Sequence, residues 1–325
     1  MKFFEIRPFE EKHVEDAAKL FTQGYIIERE NLPFLPNCCR NFKTVMPLLY
    51  KLIEKSPGVA AIKNNKLIGF LVGQLLPSWR GRRSIYIPEW AHATMGPQRK
   101  EIFQQMYTWL AAKWIANNCF THLITVLEYD REVIEALFWF GFGMASVDAI
   151  RDFSAIHGPY ADVDVRRAGL NDIDIALSLS HEQQQYMAKS PIFMVPGLME
   201  SREGLEKWLS NPNNAIWLAL YKKAIVAYVG IGPLDDDGIY VVTDSKTARA
   251  TRAFTKEPLR RKRIASTLLK HALDWIGQKG FNRCYVDFEP ENVSGSYFWL
   301  KYFKPVCFTL IRQVDARIAE TQKAS

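Results

Sequence analysis

What restricts this chain most is that it carries one pattern twice. Glu5-Ile6-Arg7 opens the first copy and Asp164-Val165-Arg166 the second. Behind each runs an apolar helix face, Val14, Ala17 and Leu20 in one and Ile173, Ala176 and Leu179 in the other, at a single constant offset. That spacing puts the three residues on one side of a helix. Further on, Val59-Ala60-Ala61-Ile62 and Leu67 to Gly73 flank the polar Lys63-Asn64-Asn65-Lys66. The second copy repeats this as Ile216 to Leu220, Tyr221-Lys222-Lys223 and Ala224 to Gly230. Two β-rich runs around a short polar turn read as a hairpin. The copies also end alike. Phe120 to Leu127 and Phe281 to Phe288 read as strands, each followed by a short helix and a closing strand that holds Ile150-Arg151 or Ile311-Arg312.

Each copy therefore predicts strand, helices, β-meander, long helix, strand, helix and strand. Strands mixed with helices in this way belong to the α/β (α+β) class, with helices on both faces of a mixed, mostly antiparallel sheet. The boundaries expected are a first domain at 1–153, a linker at 154–162 containing Gly158-Pro159, and a second domain at 163–325. At 325 residues, 48% hydrophobic and 24% charged, the chain can give each copy a core. No apolar run is long enough to cross a membrane. The opening Met1 to Arg7 sets charges into its only apolar stretch and is no secretory signal, so a cytoplasmic location is expected. The five cysteines have neither zinc-ribbon nor CxxC spacing, which points to free thiols, with Cys284 as a core residue in a strand. No metal-ligand cluster and no Ser-His-Asp elbow is visible.

The net charge is +7, and its densest cluster is Arg260-Arg261-Lys262-Arg263. A β-like run ends near Thr255, Glu257-Pro258 breaks it, and a helix starts near Ile264 with Leu268, Ala272 and Trp275 on one face. Free N–H groups and the dipole at that helix start favour phosphate, Ala265 and Ser266 are small enough for close approach, and four cations stand beside them. A coenzyme carrying a diphosphate suits such a turn. A nucleic-acid patch is the less favoured alternative, because the cluster lies at a strand-to-helix turn.

The stretch Arg260, Arg261-Lys262, Arg263, Ile264, Ala265 resembles the acyl-CoA loop of the GCN5-related N-acetyltransferase (GNAT) superfamily, whose pattern is Arg/Gln, two variable residues, Gly, one variable residue, then Gly or Ala. Arg263 stands where the family has glycine. The following Asp287 to Trp299 resembles the family's strand, Asn-x-x-small segment and aromatic helix. The resemblance implies two tandem GNAT-like units, strong over 164–315 and weak over 1–153, with the first a degenerate copy that serves for packing or for shaping the substrate cleft. It further implies transfer of an acetyl or other acyl group from acyl-CoA to an amine acceptor by direct attack in a ternary complex. Phe254, Thr255, Arg260, Arg261, Lys262, Arg263, Ile264, Ala265, Ser266 and Asn292 would hold the acyl-CoA, and the strand Ala253-Phe254-Thr255 would donate a backbone N–H to the thioester oxygen. The family's acid, a tyrosine seven residues after the Asn, is Trp299 here, which leaves Tyr297 and Tyr302 as candidate acids. Glu289 is the favoured base among Asp287, Glu289 and Glu257. His181 and Glu182 fall in the acceptor region. A catalytically silent acyl-CoA-binding protein is the rival reading, and no oligomeric state is implied.

Overall fold

The computed structural model describes residues 4–197, 200–234 and 238–321. The first repeat runs β1 (Glu5–Pro8), α1 (Val14–Asn31), α2 (Phe42–Ile53), β2 (Gly58–Lys63), β3 (Lys66–Val72), β4 (Gln74–Trp79), β5 (Arg82–Ile87), β6 (His92–Thr94), α3 (Arg99–Ala116), β7 (Thr121–Leu127), α4 (Arg131–Trp139) and β8 (Gly143–Asp152). The second runs β9 (Asp164–Arg167), α5 (Ile173–Met187), α6 (Arg202–Ser210), β10 (Ala215–Tyr221), β11 (Ala224–Pro233), β12 (Thr247–Thr255), α7 (Ile264–Gln278), β13 (Arg283–Phe288), α8 (Val293–Tyr302), β14 (Lys304–Gln313) and a short α9 (Ile318–Thr321). The predicted order recurs in both, with one difference: where the second repeat pairs β11 with β12 as one hairpin, the first breaks both strands, so that β3 pairs with β6 and β4 with β5. No helix among the described residues is long and apolar enough to cross a membrane.

The repeated pattern works as the sequence suggests. Val14, Ala17, Leu20, Ile173, Ala176 and Leu179 are all buried. Both predicted hairpins form, β2 with β3 and β10 with β11. Their turn residues share a left-handed backbone, Asn64 and Asn65 at φ 50° and 58°, Lys222 and Lys223 at 51° and 68°. Two such residues make the tight turn whose twist matches the strands. Asparagine adopts it readily, whereas lysine does so at a steric cost.

The chain divides into two compact units that are not contiguous in sequence. The first comprises residues up to 148, 239–241 and from 305 onward. It holds an antiparallel sheet in the order β1-β2-β3-β6 and the strands β4-β5-β7-β14, with β5 and β7 parallel and β7 and β14 antiparallel. Its core includes Phe21, Tyr25, Phe70, Phe103, Met106 and Tyr107, each under 2% exposed or close to it. A buried polar chain fastens β14 to α3 and β7. Arg312 donates to the Tyr107 hydroxyl at 3.1 Å, which therefore gives its own proton to His122 Nδ1 at 2.7 Å, and His122 Nε2 donates to the Cys119 carbonyl at 3.1 Å. Burial pushes His122 down to about 4, so the ring is neutral and can play both parts.

The second unit comprises 149–238 and 242–304. Its strands lie in the order β13-β12-β11-β10-β9, with only the β12–β13 pair parallel. Helices α5 and α6 cover one face through a cluster of Ile173, Ala176, Leu179, Leu205, Ile216, Leu218 and Tyr228. Helix α7 covers the other, where Trp217 of β10 meets His271 with ring centroids 5.6 Å apart. Its predicted face is buried at Leu268 and Ala272, while Trp275 is only partly covered and lies 5.3 Å beneath the Arg167 guanidinium. All five cysteines are free, and Cys284 is fully buried in β13.

Candidate active site

Strands β12 and β13 share only three parallel pairs, Thr247 with Arg283, Ala248 with Cys284 and Arg249 with Tyr285. Beyond them β12 continues to Thr255 and β13 to Phe288 without pairing to each other. The separation begins beside a β-bulge, since Tyr228 and Gly230 of β11 oppose Phe254 and Thr251, leaving one extra residue on β12. Arg252 in that bulge has φ 50°. Its guanidinium grips Glu200 through both carboxylate oxygens at 2.5–3.2 Å and lies 4.3 Å from the Trp208 ring, which holds the bend in place. A bulge bends its strand and frees backbone groups from the ladder. Here the opening is a cavity of about 490 Å³, the size of a small-molecule site.

One wall is the turn into α7. Arg261 and Arg263 both have left-handed backbones, φ 61° and 65°. Arg263 is the N-cap of α7 at ψ 10°, the conformation that glycine would take without strain. Left-handed residues alternating with ordinary ones turn successive N–H groups toward one point, a concavity suited to an anion. The Ser266 and Thr267 hydroxyls both donate to the Arg263 carbonyl at 2.9 Å, tying the first helical turn to the loop. Arg260 donates from Nε to the Thr255 carbonyl at 3.1 Å and stacks 3.9 Å from the Tyr186 ring. Of the residues expected to hold acyl-CoA, the structure brings Phe254, Thr255, Arg260, Arg261, Arg263, Ile264, Ala265, Ser266 and Asn292 to the cavity wall. Lys262 does not line it and lies near the Tyr221 ring instead.

Asn292 is the N-cap of α8. Its Oδ1 accepts from the Gly295 N–H at 3.1 Å and from the Tyr186 hydroxyl at 3.3 Å, and its Nδ2 points at Met187 Sδ, 3.6 Å away. Gly295 is glycine for a reason, because a Cβ there would stand 2.7 Å from Asn292 Nδ2. Trp299 is buried in the wall, Tyr302 is half-buried in it, and Tyr297 lines it while 76% exposed. The other candidates lie off the wall. Glu289 follows β13 and its carbonyl accepts from the Asn292 N–H at 3.1 Å. Asp287 pairs with Arg249 at 2.9 Å, and Glu257 is exposed in the short turn before the loop. His181 is exposed, with its Nε2 2.7 Å from Gln185 Nε2, and Glu182 pairs with Lys256 at 2.7 Å.

Sequence reasoning missed Gln183, Tyr186, Met187 and Tyr228, which also line the cavity. The first three look like the polar face of α5, and Tyr228 is hidden in an apolar strand. Tyr228 donates to Gln183 Oε1 at 2.8 Å, and burial raises its hydroxyl far above the usual phenol range. No aspartate, glutamate or histidine is among the described residues that line the cavity.

The counterpart positions of the first repeat are filled by the protein itself. At the start of α3, Arg99 pairs with Asp130 at 2.5 Å and lies 5.4 Å from the Tyr129 ring. Asp130 caps α4 through the Val133 N–H at 3.2 Å, just as Asn292 caps α8. The Tyr129 hydroxyl occupies the space of the missing Gly24 Cβ, and Glu28 accepts the Tyr129 N–H at 2.9 Å.

Residues 182–301 match the Acetyltransferase (GNAT) family. Among solved structures, a GCN5-related N-acetyltransferase from Sphaerobacter thermophilus is similar at TM-score 0.57 and 10% identity, over 96% of each chain. A GCN5-related glucosamine N-acetyltransferase region in a fungal multi-domain β-N-acetylglucosaminidase is similar at TM-score 0.50 and 11% identity, over 95% of this chain and 38% of that one. Likeness at such identities is a likeness of fold. No curated protein matches the sequence. The segment that matches the Acetyltransferase (GNAT) family takes in the diverging strands, the cation-bearing turn and the capped helix after them.

Proposed function

We propose that the second repeat is an N-acyltransferase that takes an acetyl or other acyl group from acyl-CoA and passes it to an amine by direct attack in a ternary complex, with the first repeat as scaffold. The observation that carries this reading is the divergence of β12 from β13 at a cavity whose end is the cationic turn of α7. The diphosphate of the co-substrate belongs on the N–H groups of that turn, beside Arg260, Arg261 and Arg263, where dipole and charge act together. Its pantetheine arm belongs along the free edge of β12. A backbone N–H of Ala253 to Thr255 would then stabilise the oxyanion formed as the amine attacks.

Four tyrosines line the cavity. Tyr186 gives its proton to Asn292 and Tyr228 to Gln183, while Tyr297 stands largely in solvent. Tyr302, half-buried in the wall, is left as the group to protonate the departing thiolate. With no carboxylate or imidazole on the described wall, the attacking amine arrives neutral or loses its proton to water. Calorimetry with CoA and a thiol-release assay with acetyl-CoA over an amine library test this. Tyr302→Phe should lower kcat about 10²-fold, the usual weight of a proton donor, with CoA affinity unchanged. CoA binding without release of thiol for any amine would favour a silent acyl-CoA-binding protein, a reading that Trp299 at the acid position makes worth testing.

A further inference from the structure

Arg260, Arg261, Lys262 and Arg263 follow one another, yet Arg260 is half-buried while the other three are exposed. The difference has a local cause. Arg260 Nε donates to the Thr255 carbonyl at 3.1 Å. The centre of its guanidinium lies 3.9 Å from the centroid of the Tyr186 ring and 5.6 Å from that of Phe254. The two rings are themselves 6.4 Å apart and tilted by 52°. One N–H of the guanidinium is thereby engaged and a flat face is covered, while its other N–H groups remain for a ligand. No carboxylate among the described residues pairs with Arg260, whereas Arg249, Arg252 and Lys256 of the same unit pair with Asp287, Glu200 and Glu182. Tyr186 also reaches the other end of the cavity. Its hydroxyl donates to Asn292 Oδ1 at 3.3 Å, and Asn292 caps α8 through the Gly295 N–H. One side chain of α5 therefore touches both the loop before α7 and the cap of α8, and Tyr186, Arg260, Phe254 and Asn292 all line the cavity.

A free arginine side chain samples many rotamers, and ordering it as the ligand arrives weakens binding. A guanidinium already stacked on a ring has lost that freedom on folding, and its charge over the ring face is an attraction in its own right. From this contact we infer that Tyr186 is a positioning residue for the co-substrate: its ring holds the Arg260 guanidinium against the Thr255 carbonyl, so that the remaining N–H groups meet the diphosphate in one orientation. This rests on the acyl-CoA reading above and extends it, because the loop pattern marks Arg260 but not the residue that fixes it. Helix α5, which lies outside that pattern, thereby takes part in the coenzyme site.

The test is calorimetry with CoA on variants of the pair. Tyr186→Leu removes the ring and should weaken CoA binding about fivefold, the weight of one partly exposed cation–π contact. Tyr186→Phe keeps the ring and should restore the affinity to within about twofold of wild type. In an Arg260→Gln background, where Arg261 and Arg263 still face the ligand, adding Tyr186→Leu should weaken binding by less than about twofold more, because its effect passes through Arg260. A ring that only filled space would give the same loss in both backgrounds. Three results would overturn the inference and leave the coenzyme site standing: full CoA affinity in Tyr186→Leu, an equal loss from Tyr186→Leu in both backgrounds, or Tyr186→Phe as weak as Tyr186→Leu, which places the effect on the hydroxyl and Asn292. Tyr186→Phe differs from wild type by one oxygen, so it can be measured even if Tyr186→Leu does not fold, and a fivefold loss there overturns the inference by itself. Failure of the wild-type protein to bind CoA would instead remove the acyl-CoA reading and this one with it.

Discussion

Arg263 holds a backbone conformation that costs an L-residue about 1–2 kcal/mol, at the one position where the family pattern calls for glycine. The sequence makes the substitution look like an obstacle, yet the loop keeps the left-handed turn and gains an exposed cation at the start of α7. Two effects can be separated by substitution. Arg263→Gly relieves the strain but adds freedom to the unfolded chain, so thermal stability should hardly change. Arg263→Ala keeps the strain and should melt below Arg263→Gly, by about 1 kcal/mol. Both should weaken CoA binding about two- to fivefold, the effect of one charge near a helix end. Equal CoA affinity in all three proteins would show that the Arg263 charge does not face the ligand. Asn292 is tested in the same way. Asn292→Ala should cost about 1 kcal/mol as a lost cap and strand the Tyr186 hydroxyl, whereas Asn292→Asp retains an acceptor oxygen for both and should recover most of the loss in a melting experiment.

At the scale of elements, the apolar period made the helices and hairpins legible, because burial of Val14, Ala17, Leu20, Ile173, Ala176 and Leu179 is what creates that period. The choice of strand partners left no such mark. Nothing in Lys304 to Gln313 says that it will pair with β7, since either sheet would bury the same alternating residues. The pairing of β4 with β5 stayed hidden because β4 buries none of its residues. The closed turn of the first repeat can be probed directly. Gly24→Ala should destabilise by about 1–3 kcal/mol, because its methyl meets the Tyr129 hydroxyl, and adding Tyr129→Phe should restore part of it in a double-mutant cycle. Additive effects would mean that α1 shifts to relieve the contact. The segment 239–241 is fixed in the first unit by Glu89, which is fully buried and accepts the Val241 N–H at 3.1 Å. Burial raises its carboxyl to about 7, against 4.5 when exposed. The folded protein therefore binds more protons than the unfolded chain between those values, so stability falls as pH rises through that window and levels off above 7. Glu89→Gln keeps the acceptor oxygen without the charge. Its stability advantage over wild type should grow from pH 4.5 to 7 and reach about 3 kcal/mol in denaturant melts. A difference that does not change with pH would contradict the assignment.

For the molecule as a whole, the duplication sets the fold, but the two copies spend the same positions differently. In the second, Asn292 and the turn at 260–266 border an open cavity. In the first, Arg99 pairs with Asp130 and lies over the Tyr129 ring, and Glu28 accepts the Tyr129 N–H. The net charge of +7 is consistent with a polyanionic ligand, and three of the four clustered cations line the cavity. The loop was readable because phosphate chemistry demands local sequence: small residues, cations and a helix start. The opposite wall was not, because Tyr186, Met187 and Tyr228 converge only through folding. If the second repeat alone carries the acyl-CoA site, titration calorimetry with CoA should find one CoA bound per chain, with binding abolished by Arg260→Glu/Arg261→Glu and unaffected by Arg99→Ala. No binding, two sites per chain, or binding that survives the double charge reversal would contradict it.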